Sequence, residues 1–227
     1  MVKFLKMLCI SVVAFGAVNG VALASDSEGD GRSCPVSWQT LRDALRAAKA
    51  DRSVTTPGAF GNNMWGVVVN RTGAVCAVAF SGSAASDQWL LSRQIAAAKA
   101  FTANGLSLDS ILGGSKQLST QQLYDLVQPG GGLYGVHFGN IQDAADATKG
   151  PASKWGAASD PMVGLRVAGM ITFGGGLALV NNRGVVVGGL GISGDTACQD
   201  DKFARAVRTG LGLNGGVADA GTGATCR

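Results

Sequence analysis

The amino-acid sequence predicts an α+β domain, an antiparallel sheet covered by helices. Two β-hairpin patterns and amphipathic helical patterns near both ends of the folding region carry this expectation.

The opening residues come first because they resemble a membrane span. Lys3 and Lys6 precede an apolar run over 7–18, and Ala22-Leu23-Ala24 offers the small-x-small pattern accepted by signal peptidase. The run is shorter than the roughly 20 residues a bilayer-spanning helix needs. Residues 1–24 are therefore expected to be a signal peptide, and the small, polar, acidic residues 25–33 a disordered leader. A single domain is expected over 34–227, in the periplasm or secreted, with no membrane span after cleavage. Loss of Lys3 and Lys6 takes the formal charge from +4 to +2, and the remaining basic residues are scattered, which argues against a nucleic-acid partner.

The first helix is expected over 35–50, where Trp38, Leu41, Leu45 and Ala48 recur at helical spacing. Two β-rich runs, 64–70 and 74–80, flank Arg71-Thr72-Gly73 and form the first hairpin. A second helix follows over 87–103, with Leu91, Ile95, Ala98 and Thr102 on one stripe and Asn104-Gly105 as its end. Ser119 and Gln122 form a capping-box pattern before a short helix carrying Leu123, Leu126 and Val127. Residues 130–165, rich in Gly, Ala, Asp and Ser, are a long irregular insertion, which in a compact domain is either a functional cover or disordered. Strand patterns return over 167–173, 177–181 and 185–192, the last two joined by Asn182-Arg183-Gly184. A final helix over 200–213 buries Phe203, Val207 and Leu211 and turns Lys202, Arg205 and Arg208 outward.

Five cysteines are present; Cys9 leaves with the signal, and Cys34, Cys76, Cys198 and Cys226 form an even set of the kind that makes two disulfides in an exported chain. Three pairings are open. Antiparallel first and last helices on one face would favour Cys34 with Cys226 and Cys76 with Cys198. The spacings match no zinc pattern, and without Cys-x-x-Cys-His any haem is held noncovalently.

His137, the sole histidine, lies among apolar and aromatic residues beside glycines, so its imidazole is a candidate axial ligand for haem iron; satisfaction by a backbone carbonyl is the alternative. One histidine excludes a two-histidine metal site within one chain. Gly191-Ile192-Ser193-Gly194 does not have nucleophile-elbow spacing, so a serine hydrolase is disfavoured too. Whether the protein is an enzyme stays open. Lys99 and Thr102 sit side by side on the second helix, a cation and a hydroxyl bordering an apolar stripe, as a ligand with carboxylates would require. A snorkelling lysine and a back-bonded threonine are the competing reading. Arg93 on the same helix is a further candidate ligand contact. Gly174 and Gly175 either permit close backbone approach or wall a flat ligand, and Asp195 either caps the last helix or touches ligand.

Lys99-Ala100-Phe101-Thr102-Ala103 resembles the Lys-Ala-x-Thr-Ala helix signature of the GlcG/HbpS haem-binding, or haem-degrading, family. Gly174 through Leu177 and Val185 through Asp195 resemble its glycine-rich strand and hairpin. The resemblance covers 38–213. It implies a profilin-like fold, a homo-oligomer, a haem or related small-molecule ligand, and a position near haem for Thr102 and, more weakly, Lys99. Haem breakdown, redox sensing or an accessory role beside oxidative operons would follow. The long insertion, the cysteines and the signal peptide depart from compact members, so His137 inherits nothing from them. The apolar slot is expected between the Ile95 to Thr102 helix face and the glycine-rich strands. A pocket for a small organic metabolite beside a periplasmic oxidation pathway is the alternative function.

Overall fold

A computed structural model describes residues 33–109 and 118–215. The expected signal peptide and leader, residues 1–32 of them, lie outside the described residues, as does Cys226. The architecture is α+β: four antiparallel strands, β1 (Trp65–Asn70), β2 (Val75–Phe80), β3 (Gly176–Val180) and β4 (Val186–Ser193), in the order β2-β1-β4-β3. Three helices flank them, α1 (Trp38–Ala50), α2 (Leu91–Gly105) and α3 (Ala197–Gly210).

Both hairpins use the same device. The Asn70 carboxamide oxygen accepts from the Thr72 and Ala74 N–H groups, and that of Asn181 accepts from Arg183 and Val185, while Gly73 and Gly184 take the left-handed conformation the turn needs. α1 starts three residues later than expected because Ser37 caps it, its hydroxyl accepting from Thr40 N. α3 starts three residues earlier, capped by Thr196. The Ser119–Gln122 capping box is present, yet it opens two 3-10 turns, Thr120–Leu123 and Asp125–Val127.

α1 and α3 cover one face of the sheet, packing Leu41, Leu45, Phe203 and Val207 on Val68, Leu179, Leu190 and Ile192. Arg208 of α3 does not face out as expected. It is fully buried and donates to the Ala178 carbonyl of β3, so its charge is used beneath the edge of the sheet. α2 covers the other face through Ala96, Ala97 and Ala100, against Trp65, Val67, Val69 and Val78. The expected stripe through Leu91 and Ile95 is therefore turned away from the sheet, and Leu91 is exposed. Glycines set this contact. A Cβ on Gly191 would lie 1.9 Å from the Ala96 carbonyl oxygen, and one on Gly189 would lie 2.2 Å from that of Ala100. The helix thus rests on the backbone of β4, and the slot expected between them is filled.

The 130–165 insertion is organised by a buried carboxylate. Asp160 accepts from Gly156 N, Met162 N and the Arg93 guanidinium, which also donates to the Ala147 carbonyl. Met162, Ala147 and Val167 extend the α2-side core, and Gly164 and Leu165 pair with Val75 at the free edge of β2. At the other edge, Leu118 and Leu213 hydrogen-bond to β3, so each edge has chain lying along it.

The expected strand over 167–173 does not form; only Ala168 makes an isolated bridge, to Gln142. Ala168 and Gly169 both have positive φ, 55° and 87°, which bends the chain across the outside of α2, beyond reach of the sheet. The disulfide also differs from the favoured pairing: Cys34 joins Cys76, with Cα atoms 5.4 Å apart. Val68 pairs with Ala77 but Val69 with Val75, so Cys76 is the bulged residue of the edge strand. Cys198 is likewise disulfide-bonded.

Candidate functional site

Two arrangements on α2 account for most of the residues singled out in the sequence. The first is buried. Lys99 lies in the core, where its ammonium donates to Asp200 Oδ2 at 2.7 Å and to the Ile192 carbonyl at 3.0 Å, with the Phe173 ring 4.9 Å away. Gly175 is the floor of this pocket, since a Cβ there would lie 2.9 Å from Lys99 Nζ and 2.4 Å from the Ile192 oxygen. Gly174 packs equally closely on the Ala197 carbonyl at the start of α3. Burial pushes the Lys99 ammonium below the ordinary lysine range against the pull of Asp200. It likewise raises the Asp200 carboxyl against the opposing effect of Lys99. Lys99, Gly174 and Gly175 thus meet around an internal ion pair that locks α2, β4 and α3 together.

Arg93 occupies a similar position on the far side of the helix, its guanidinium 4.6 Å from the Trp155 ring and 5.8 Å from that of Trp65 while it holds Asp160. Asp195 does not cap α3. Its carboxylate accepts from Phe60 N, Asn62 N and Thr196 N, tying the loop before β1 to the end of β4.

The second arrangement is an open cleft of about 180 Å³, lined by Phe101, Thr102, Gly105 and Leu106 from the C-terminal half of α2, Val136 and Asn140 from the insertion, and Gly169 and Met170 from the bent segment. Among the candidate residues, Thr102 lines it. Its hydroxyl donates to the Ala98 carbonyl at 2.7 Å and accepts from Ile171 N at 3.0 Å, so the back-bonded reading holds and the residue also anchors the opposite wall. His137 belongs to the one-turn helix Val136–Gly139, whose first residue lines the cleft, and its ring packs on Phe138 at 3.9 Å. Its Nδ1 is buried with no hydrogen-bond partner. A buried polar nitrogen left unpaired costs about 1–3 kcal/mol. Leu106, Tyr134, Phe138 and Ile141 are exposed apolar side chains of the same α2 end and insertion.

Such a cleft is apolar, with a hydroxyl, an amide and a thioether in its walls and an unsatisfied imidazole nitrogen beside it. No group of three or more His, Cys, Asp or Glu able to hold a bare ion occurs among the described residues. Asn140, Met170 and the partners Asp160 and Asp200 were not singled out in the sequence. The acidic partners carry no local signature, because their roles depend on residues 67 and 101 positions away.

Among solved structures, the crystal structure of a PduOC:heme complex superposes with a TM-score of 0.49 at 25% identity, covering 77% of this chain and 94% of that one. The Klebsiella pneumoniae protein ORFY, of family model DUF336, superposes with a TM-score of 0.48 at 23% identity, covering 78% and 90%. No curated protein matches. A family model described as haem degrading protein HbpS-like matches residues 39–209, which takes in all four strands and nearly all of the three helices. The chain belongs to the HbpS-like haem-degrading protein family.

Proposed function

We propose that this protein binds haem or a related tetrapyrrole noncovalently, outside the cytoplasm, in the cleft between the C-terminal half of α2 and the 130–165 insertion. The observation that carries the reading is the position of this cleft: the signature helix of a haem-degrading family supplies Thr102 to one wall, and the turn bearing His137 supplies the other. His137 gives the iron a nitrogen ligand, and Thr102 lies against the macrocycle. Arg93, Lys99, Gly174, Gly175 and Asp195 contribute by holding α2, β4 and the loops rigid beneath it. Bound iron would add redox and axial-ligand chemistry that no side chain here supplies.

Support for export comes from the pattern of residues 1–24 and from the Cys34–Cys76 bond, which persists in oxidising compartments. No helix among the described residues is long and apolar enough to cross a membrane. The exposed Tyr134, Phe138 and Ile141 support a homo-oligomer in which this apolar surface is partly covered, a state that light scattering measures.

Titration of the purified protein with hemin tests the proposal. A saturable Soret band, weakened in His137→Ala and Thr102→Ala, is expected; no saturable change at micromolar hemin overturns it. A second reading, a small organic metabolite bound beside a periplasmic oxidation pathway, is favoured by size. At about 180 Å³ the cleft is below the roughly 300–1,000 Å³ usual for ligand pockets, so a macrocycle would extend past it over the apolar rim. A thermal-shift screen separates the two, since a ligand at 100 times its dissociation constant stabilises the fold by about 2.7 kcal/mol.

A further inference from the structure

The cleft at the C-terminal half of α2 carries no charge: all eight residues that line it are uncharged. Arg71, the cation at this end of α2, spends its guanidinium on the Asn104 and Ser107 carbonyls and the Asn104 carboxamide oxygen, and neither residue lines the cleft. The aligned peptide dipoles of this 15-residue helix leave partial negative charge at the same end, which disfavours an anion. An ionised group entering the cleft would lose water and meet no counter-charge, and burial is most costly there.

Its side chains also offer a ligand little but acceptors. Thr102 Oγ1 is spent on both sides, donating to the Ala98 carbonyl and accepting from the Ile171 N–H. The Asn140 amide nitrogen donates to the Val136 carbonyl at 2.6 Å, so what Asn140 presents is its carboxamide oxygen. The Met170 thioether is a weak acceptor as well. A ligand matched to these side chains brings a donor hydrogen of its own. Size narrows the class further. An apolar cavity of about 150 Å³ admits benzene, and this cleft measures about 180 Å³. The Phe101 ring is held from behind by the first hairpin turn, where a Cβ on Gly73 would lie 2.6 Å from its Cε2. The bent segment is already seated tightly, since a Cβ on Gly169 would lie 3.1 Å from the Ala98 Cβ and 3.0 Å from that of Gln142. Phe101 and half-buried Met170 thus supply a ring face and a thioether, both of which an aromatic ring packs against favourably.

We propose that the cleft takes a small uncharged molecule of one aromatic ring bearing a hydroxyl, of the benzyl alcohol or phenol class, with the Asn140 carboxamide oxygen as the acceptor for that hydroxyl. The inference rests on the small-metabolite reading above and narrows it, because carboxylates and ammonium groups of the same size are rejected. Rejection follows from the missing counter-charge, and the preference for a hydroxyl from the acceptor-only side chains.

The experiment is a protein-observed NMR titration of the full chain with four probes of similar size: benzyl alcohol, toluene, benzoate and benzylamine. Benzyl alcohol is expected to give saturable shifts centred on Phe101, Thr102 and Met170, and to bind at least about tenfold more tightly than benzoate or benzylamine. Toluene is expected to bind more weakly than benzyl alcohol, and Asn140→Leu, at an exposed position, to remove that difference while toluene still binds. Benzoate or benzylamine within about threefold of benzyl alcohol overturns the uncharged class and leaves the small-metabolite reading standing. Toluene as tight as the alcohol in the wild type overturns the role of Asn140. Saturation by none of the four, or shifts centred away from the cleft, overturns the inference together with the small-metabolite reading, while the hemin titration judges the haem reading separately. The wild-type comparison needs no variant, so a misfolded substitution does not remove the test.

Discussion

Replacing Lys99 by Met probes the ion pair at the centre of the fold. Both Lys99 and Asp200 are almost wholly buried, and the ammonium satisfies Asp200 Oδ2 and the Ile192 carbonyl. Lys99→Met keeps the aliphatic length but leaves Asp200 with only the Asp195 N–H donating to it, at 2.9 Å. An uncompensated buried charge of this kind costs about 3–5 kcal/mol. Adding Asp200→Asn removes the charge while its carboxamide oxygen still accepts from Asp195 N. The residual penalty is then chiefly the weakened Ile192 carbonyl, about 1–2 kcal/mol. Urea unfolding at neutral pH reads both variants, with an unchanged m-value as the sign that the unfolded state is not being altered. The double variant is expected to be more stable than the single by about 2 kcal/mol, because it no longer buries an unpaired carboxylate. A single variant within about 1 kcal/mol of wild type, or a double variant as unstable as the single, refutes the pair's structural role.

Gly191→Ala places a methyl 1.9 Å from the Ala96 carbonyl and is expected to cost about 3 kcal/mol or more in chemical denaturation, whereas Gly105→Ala, which meets nothing within 4 Å, is expected to stabilise α2 by about 0.5–1 kcal/mol. Replacing Cys34 and Cys76 together by Ser opens a loop with a sequence separation of 42, for which chain entropy gives a loss of about 4 kcal/mol, checked by unfolding with and without reductant. The Asp87 carboxyl is held below its ordinary range by the Ala84 and Ser83 backbone N–H groups. Its contribution is therefore complete above the unfolded value of 3.8 and lost as pH falls through the lower folded value; Asp87→Asn is expected to flatten the decline in stability between about pH 5 and pH 2.

The parts of the fold legible in the sequence are those set by local chemistry. Asn-x-x-Gly appears at both hairpins, and there the asparagine oxygen and the left-handed glycine build the turn from four adjacent residues. Hydrophobic spacing located all three helices, but their boundaries moved wherever a side-chain cap was decisive, as at Ser37 and Thr196. The orientation of α2 was not legible. Leu91 and Ile95 are its largest apolar residues and so dominate any periodicity, yet the sheet receives Ala96, Ala97 and Ala100 because the β4 glycines allow only small residues to approach. The helix face was decided by the partner's backbone, which a single-segment pattern cannot register.

The same reasoning explains why the slot expected between α2 and the glycine-rich strands is filled. A glycine in a strand often marks where another backbone comes close, and Gly189 and Gly191 of β4 do so against Ala100 and Ala96 of α2. Space opens instead where close approach forces the chain away, at the Ala168–Gly169 bend. There Met170, Ile171 and Thr172 have strand-like composition but pass outside the helix. Thr102 was the one residue visible from both directions, because a threonine in a helix commits its hydroxyl to the preceding turn and has one lone pair left to hold something else. In this fold that something is the Ile171 N–H, so the threonine ties the bent segment to α2 and holds the opposite wall of the cleft in place.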